Sequence, residues 1–169
     1  GKTTLLKCIA GLLAPTSGEV ILDGKKVTAP PKKMAVVFQE YGRSLFPWLR
    51  VAENVELPLK NQGIAKDRRA QLVAEALENV GLAHVPKSYP WQLSGGMQQR
   101  VAIARAIAYQ PEVLLMDEPT THLDILTVES LILALERYEG TLLFISHDVH
   151  FIRKLATKVV HINDGKVKV

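Results

Sequence analysis

The chain has 169 residues, is 47% hydrophobic and 22% charged, and carries a formal net charge of +4 at pH 7. That size and composition fit one globular domain with a real core, and no run of about 18 uncharged apolar residues marks a membrane span. The single cysteine, Cys8, excludes an internal disulfide and fits a reducing compartment.

"KTTLLKCIAGLL" has apolar residues at helical spacing and closes on Gly11, which predicts a helix with Cys8 on its core face. "EVILDGKKV" alternates and turns on Asp23-Gly24, a hairpin signal. "MAVVFQ" reads as a short buried strand. "EYGRSLFPWLRVAENVELPLKNQG" reads as a functional loop followed by a helix that begins near Arg50. "AKDRRAQLVAEALENVGL" is an amphipathic helix with Asp67 as its candidate cap, an apolar face of Val73, Ala76, Leu77 and Val80, and a stop at Gly81. "AHVPKSYPWQ" is an irregular connector in which Trp91 is expected to pack.

"SGGMQQRVAIARAIAYQ" opens on glycines and continues as a helix. "EVLLMDE" is an apolar strand with acids at its carboxyl end. A helix in "ILTVESLILALERY", a buried strand in "GTLLFIS", a helix in "VHFIRKLAT" and a hairpin on Asn163-Asp164-Gly165 complete the chain. Apolar strands alternating with helices imply an α/β fold, a parallel sheet covered on both faces. Residues from about 39 to 90 interrupt the alternation as a mostly helical insertion. "PPKKM", "KDRRA" and "KVKV" lack interleaved aromatics and read as solvated surface, not as a nucleic-acid face.

Three stretches carry phosphate chemistry. A loop ending Gly-Lys-Thr/Ser before a helix offers backbone N–H groups, a lysine for the β- and γ-phosphates and a hydroxyl for Mg²⁺. Gly1, Lys2, Thr3 and Thr4 match that ending, although alone they equally describe a basic turn before a helix. Asp117 and Glu118 leave a buried strand together, one placed to hold a metal and the other to polarise water; the plainer alternative is an acidic strand exit. Ser94, Gly95 and Gly96 put a hydroxyl and two amides at a second helix start, a separate anion site. Both helix starts can serve one nucleotide only where two surfaces meet, as in two copies facing each other.

These residues resemble the ATP-binding cassette (ABC) family. "LSGGM" followed by "QQRVAIARA" is similar to the family's signature, with Met97 where glutamine is commonest. Lys2 and Thr3 match the Walker A tail, "VLLMDE" Walker B, Gln39 the Q-loop, "THLD" the D-loop and His147 in "FISHD" the switch histidine. The resemblance implies a P-loop NTPase with a RecA-like parallel core from about 1–38 and 110–169. Residues about 40–109 would form the Q-loop, helical subdomain and signature helix of a single domain, 1–169.

It further implies an ATPase acting as a head-to-tail dimer with ATP and Mg²⁺. Lys2 would grip the β- and γ-phosphates. Thr3, Gln39 and Asp117 would serve the metal, Glu118 would be the general base and His147 would contact the γ-phosphate. Ser94, Gly95 and Gly96 of the second copy would bind that phosphate, and Asp124 would link the two sites.

Residues 1–119 are similar to the ATPases of nitrate, sulfonate and taurine importers. This implies a transmembrane permease as partner, a periplasmic binding protein indirectly, no direct nucleic acid, and a place on the cytoplasmic face of the bacterial inner membrane. Phe46, Pro47 and Trp48 would line the permease-docking groove. Residues 120–169 resemble the ABC-F group, soluble ribosome-acting ATPases; His122 stands where importers usually carry alanine. A non-hydrolysing module that merely closes on ATP is a third reading, against which Glu118 argues.

The resemblance also implies that the strand entering the phosphate loop, the first loop glycines and the adenine-stacking aromatic lie upstream of Gly1. Residues 1–169 alone are therefore expected to fold marginally and bind ATP poorly. Nanomolar-to-micromolar ATP binding by that segment in a titration would contradict this.

Overall fold

A computed structural model describes residues 1–163 and 165–168. Helix α1 (Lys2–Ile9) is followed by a hairpin of β1 (Ile21–Leu22) and β2 (Lys25–Lys26), then β3 (Met34–Val37). Helices α2 (Tyr41–Ser44), α3 (Val51–Lys60), α4 (Lys66–Asn79) and α5 (Gly95–Ala108) come next, with a 3₁₀ turn at Pro90–Gln92. The rest is β4 (Val113–Asp117), α6 (Ile125–Glu136), β5 (Thr141–Ile145), α7 (Val149–Leu155), β6 (His161–Asn163) and β7 (Lys166–Lys168).

β3, β4 and β5 form a parallel sheet in that order, while β1–β2 and β6–β7 are antiparallel pairs. The first hairpin turns on Asp23 and Gly24, both at positive φ, the geometry of the tight turn that Asp-Gly favours. The expected closing hairpin has its strands at β6 and β7, and its Asp164 lies outside the described residues.

Strand β4 sits between two hydrophobic clusters because its side chains alternate across the sheet. Leu114 and Met116 join the large cluster with Val37 and residues of α3 to α7. Leu115 points the other way, onto Leu6 and Ala10 beside α1. All three β4 residues are fully buried, and each such side chain contributes about 1.5–3 kcal/mol.

Four expectations are corrected. Cys8 is half-buried and not a core residue; the buried side of this end is Leu6 and Ala10. Asp67 does not cap α4, which starts one residue earlier from Ala65. Asp67 thus lies in the first turn, where its charge favours the positive helix end. β5 is only half-buried, with Leu143 38% exposed, so the sheet is covered on both faces at β4 but not at β5. Trp91 is 69% exposed; it stacks on Tyr89 at 6.0 Å, and Arg50 lies 5.6 Å over the Tyr89 ring.

Gly11 ends α1 at φ +70, and an added Cβ would stand 2.7 Å from the Ala29 carbonyl carbon and oxygen. Gly11→Ala therefore meets both a backbone penalty and a clash, and is expected to cost about 1–3 kcal/mol in denaturant unfolding; an unchanged midpoint would contradict this. Between α3 and α4, Glu56 accepts from Arg69 Nε at 2.9 Å, and this bond, ahead of the neighbouring charges, holds its carboxyl below the usual 4.5. A carboxylate depressed in the folded state stabilises above its unfolded value, and that gain is lost as pH falls through the folded one. Arg69→Met should cost about 1 kcal/mol at neutral pH, a difference that shrinks below the carboxyl's usual 4.5 when unfolding is measured across pH.

Candidate functional site

The carboxyl ends of the three parallel strands meet the start of α1. Val37 pairs with Met116, and Asp117 pairs with Ile145. Gln39, Glu118 and His147 therefore leave the same edge of the sheet, where ligands of open α/β sheets bind. An open cavity of about 620 Å³ there is lined by Gly1, Lys2, Thr3, Gln39, Asp117, Glu118, Thr121, Ile145 and His147. Seven expected site residues thus converge from four separate segments.

The cationic wall is the beginning of α1. Gly1 is its N-cap and supplies no side-chain cap. The first intrahelical bond runs from Leu5 N to Gly1 O at 3.0 Å, which leaves the preceding amides for an anion. Lys2 adds a full charge beside them. Thr4 lies on the same turn but does not line the cavity.

The anionic wall is the end of β4. Asp117 is 4% exposed, and its Oδ1 is buried with no hydrogen-bond partner in the protein. Asp117 and Thr3 both line the cavity, and a carboxylate with an orphaned oxygen near a threonine suits a hard cation with oxygen ligands. Among the described residues no group of three or more His, Cys, Asp or Glu could hold a metal by itself, so such an ion would draw further ligands from a bound anion.

Glu118 adopts φ +49, a left-handed conformation uncommon for a residue with a Cβ. Its N–H donates to Ile145 O at 2.9 Å, and its carbonyl accepts from Thr121 N at 3.2 Å. Glu118 Oε1 lies 3.2 Å from Nε2 of the largely exposed His147.

Ser94, Gly95 and Gly96 do not line this cavity. Ser94 caps α5, accepting from Met97 N at 3.3 Å, and is exposed along with Gly95. Gly96 is close to the segment after β4: an added Cβ would stand 3.2 Å from Leu123 Cδ2. Asp124 is exposed at the head of α6, and its two oxygens accept from Thr127 N and Oγ1, both at 2.9 Å. Those two bonds hold its carboxyl below the usual range.

Some residues that shape the site escaped the sequence reading. Asn54, fully buried, fixes the loop before α3: its Oδ1 accepts from Phe46 N at 2.8 Å, and its Nδ2 donates to the carbonyls of Phe46, Leu49 and Arg50. It thereby presents Trp48, which is 69% exposed with its ring 5.3 Å from that of Phe46. Thr121 lines the cavity, and the buried Gln99 donates to the Pro119 carbonyl. No pattern singled out Asn54, between Glu53 and Val55, or Gln99, between Gln98 and Arg100, and Thr121 stood only inside the quoted "THLD".

Comparison with known proteins agrees with this geometry. The family model described as ABC transporter matches residues 1–121. The chain is 48% identical over 163 residues to the nitrate import ATP-binding protein NrtD of Synechocystis, covering 94% of this chain and 60% of that protein. It is 44% identical to the bicarbonate transport ATP-binding protein CmpC of Synechococcus elongatus, covering 98% of this chain but 26% of the relative. Among solved structures, an ATP-binding cassette dimer in a post-hydrolysis state bound to ADP and Pi superposes with a TM-score of 0.87 at 35% identity, over 100% of this chain and 79% of the other. A second dimeric structure of the same cassette, described as a bacterial ABC transporter cassette, gives 0.88 at 35% identity, over the same shares of the two chains. With the family model over residues 1–121 and the cassette architecture over the whole chain, the protein belongs to the ABC transporter family, as a P-loop α/β cassette.

Proposed function

We propose that this chain is the ATP-hydrolysing part of an importer of small anions of the nitrate type, and that two copies close on ATP to drive a membrane permease. The observation that carries this reading is the convergence of Lys2, Thr3, Asp117, Glu118 and His147 on one cavity. The amides of α1 and the Lys2 ammonium receive the β- and γ-phosphates. Thr3 and Asp117 hold Mg²⁺, with Gln39 beside them. Bound Mg²⁺ neutralises phosphate charge and polarises the transferred group. Glu118 takes the proton of the attacking water as its oxygen bonds to the γ-phosphorus and ADP departs. His147, held beside Glu118 Oε1, orients the γ-phosphate.

The site lacks a donor set on the solvent side of the γ-phosphate. Ser94 and Gly95, exposed at the start of another helix, supply it with Gly96 from a second copy. Asp124, close to Gly96 through Leu123, connects the two sites across that contact. Exposed apolar residues flank the same region: Ile125 and Leu126 are each 79% exposed and Val149 is 60% exposed. They begin α6 and α7, which His150 and Glu129 join at 2.6 Å. Apolar surface beside a charged site marks a partner face. The similarity to cassettes solved as dimers supports this assembly.

Phe46 and Trp48, with the Tyr89–Trp91 stack nearby, form the permease-docking rim. Arg50 bridges the two aromatic pairs: it lies two residues after Trp48 in the chain and over the Tyr89 ring. Among the described residues no helix is long and apolar enough to cross a membrane. The importer reading is favoured over the ABC-F one because importer relatives align over 94% and 98% of the chain, through the segment after residue 119. The chain spans about 60% of the length of the nitrate import relative and 26% of the bicarbonate transport one.

Glu118→Gln should lower the hydrolysis rate by about 10²–10⁴-fold while ATP binding persists and a dimer accumulates in size-exclusion chromatography; a near-normal rate would overturn the proposal. Trp48→Ala should weaken permease association by about tenfold or more, read in a pull-down titration with the membrane component. Undiminished association would remove Trp48 from the docking surface.

A further inference from the structure

We infer that Gln99 is a positioning residue for Glu118, an inference that rests on the proposed role of Glu118 as the base. Gln99 lies on α5, is 1% exposed, and donates its Nε2 proton to the carbonyl oxygen of Pro119. Its Oε1 is also buried and has no partner. A buried amide satisfied on one side only is a poor way to stabilise a core. An unbranched apolar side chain of similar size would fill the space but leave the Pro119 carbonyl unpaired, so packing alone does not explain the residue.

Position does. The segment leaving β4 carries Glu118 at φ +49 and continues into Pro119, which has no N–H to anchor it. On the strand side, Glu118 is held by its N–H to Ile145 O at 2.9 Å. On the helix side, the Gln99 amide holds the Pro119 carbonyl, in the second peptide group after Glu118. The two bonds bracket the unusual backbone and aim the Glu118 carboxylate at the cavity. Pro119 is itself buried, so water does not replace the amide when it is lost. The contact also joins the two phosphate-reading parts of the chain, since Ser94 begins the same helix and Gly96 packs against Leu123 of the same segment.

The test is steady-state and single-turnover hydrolysis by the intact protein carrying Gln99→Met, which keeps the volume and removes the donor. The expected result is a fall in kcat of about 10–100-fold, the effect of a small misplacement of a catalytic group, with the KM for ATP within about twofold. In a Glu118→Gln background the same change should produce no further loss in the single-turnover rate, because Gln99 acts through Glu118. Should Gln99→Met not fold, Gln99→Asn, which keeps the amide but withdraws it by one methylene, must show the same split between kcat and KM. An unchanged kcat, a rise in KM alone, or a loss that adds in full to that of Glu118→Gln would overturn the inference. A Glu118→Gln protein that still hydrolyses normally would instead remove the base itself.

Discussion

Strand β4 is bonded to a neighbour along each edge, buried on both faces, and ends in two carboxylates. Burial of Leu114, Leu115 and Met116 fixes the strand against both clusters at once. A slip of one residue in register would turn every one of these side chains to the wrong face. That constraint locates Asp117 and Glu118 and, through the paired strands, Gln39 and His147 as well. The hydrophobic core is thus what sets the distances among charged groups that would otherwise repel or hydrate separately.

The site built on that strand is one-sided. A cationic helix start and an anionic strand end face each other across an open cavity, and the second helix start, proposed to read anions, lies outside it on α5. Local bonds keep α5 in contact with the catalytic segment through Gly96 and Gln99. On the proposed reading, events at one helix start have a short mechanical route to the Glu118 carboxylate. Exposed apolar residues at the heads of α6 and α7 give the proposed second copy, with its own Ser94 over the nucleotide, something to bury.

The sequence was most legible where chemistry dictates residue type. Lys2 and Thr3 before a helix, proposed to bind phosphate, and Asp117 and Glu118 after a buried strand, proposed for metal and water chemistry, were named from residue type alone, and the fold brings them to one cavity. The hairpin on Asp23-Gly24 and the stops at Gly11 and Gly81 were legible because positive φ favours so few residues. Burial was less legible, because it depends on what packs from elsewhere. An apolar run such as "TLLFI" does not reveal that Leu143 faces solvent. Trp91 looks like a core residue in composition yet stacks on Tyr89 at the surface. Gln99 and Asn54 were hidden for the converse reason: each polar side chain finds backbone partners that only the folded chain brings within reach.

The claim on which this account depends is that the terminal phosphate held by Lys2 of one copy is met by Ser94 of another. It is tested most directly with an ATP photoprobe reactive at its γ-phosphate, applied to a mixture of unlabelled protein and an isotopically heavy Lys2→Ala copy that cannot retain nucleotide in its own cavity. Mass spectrometry should find the probe on the heavy peptide containing Ser94. Labelling confined to the light chain, with the heavy Ser94 peptide unmodified, would contradict the account.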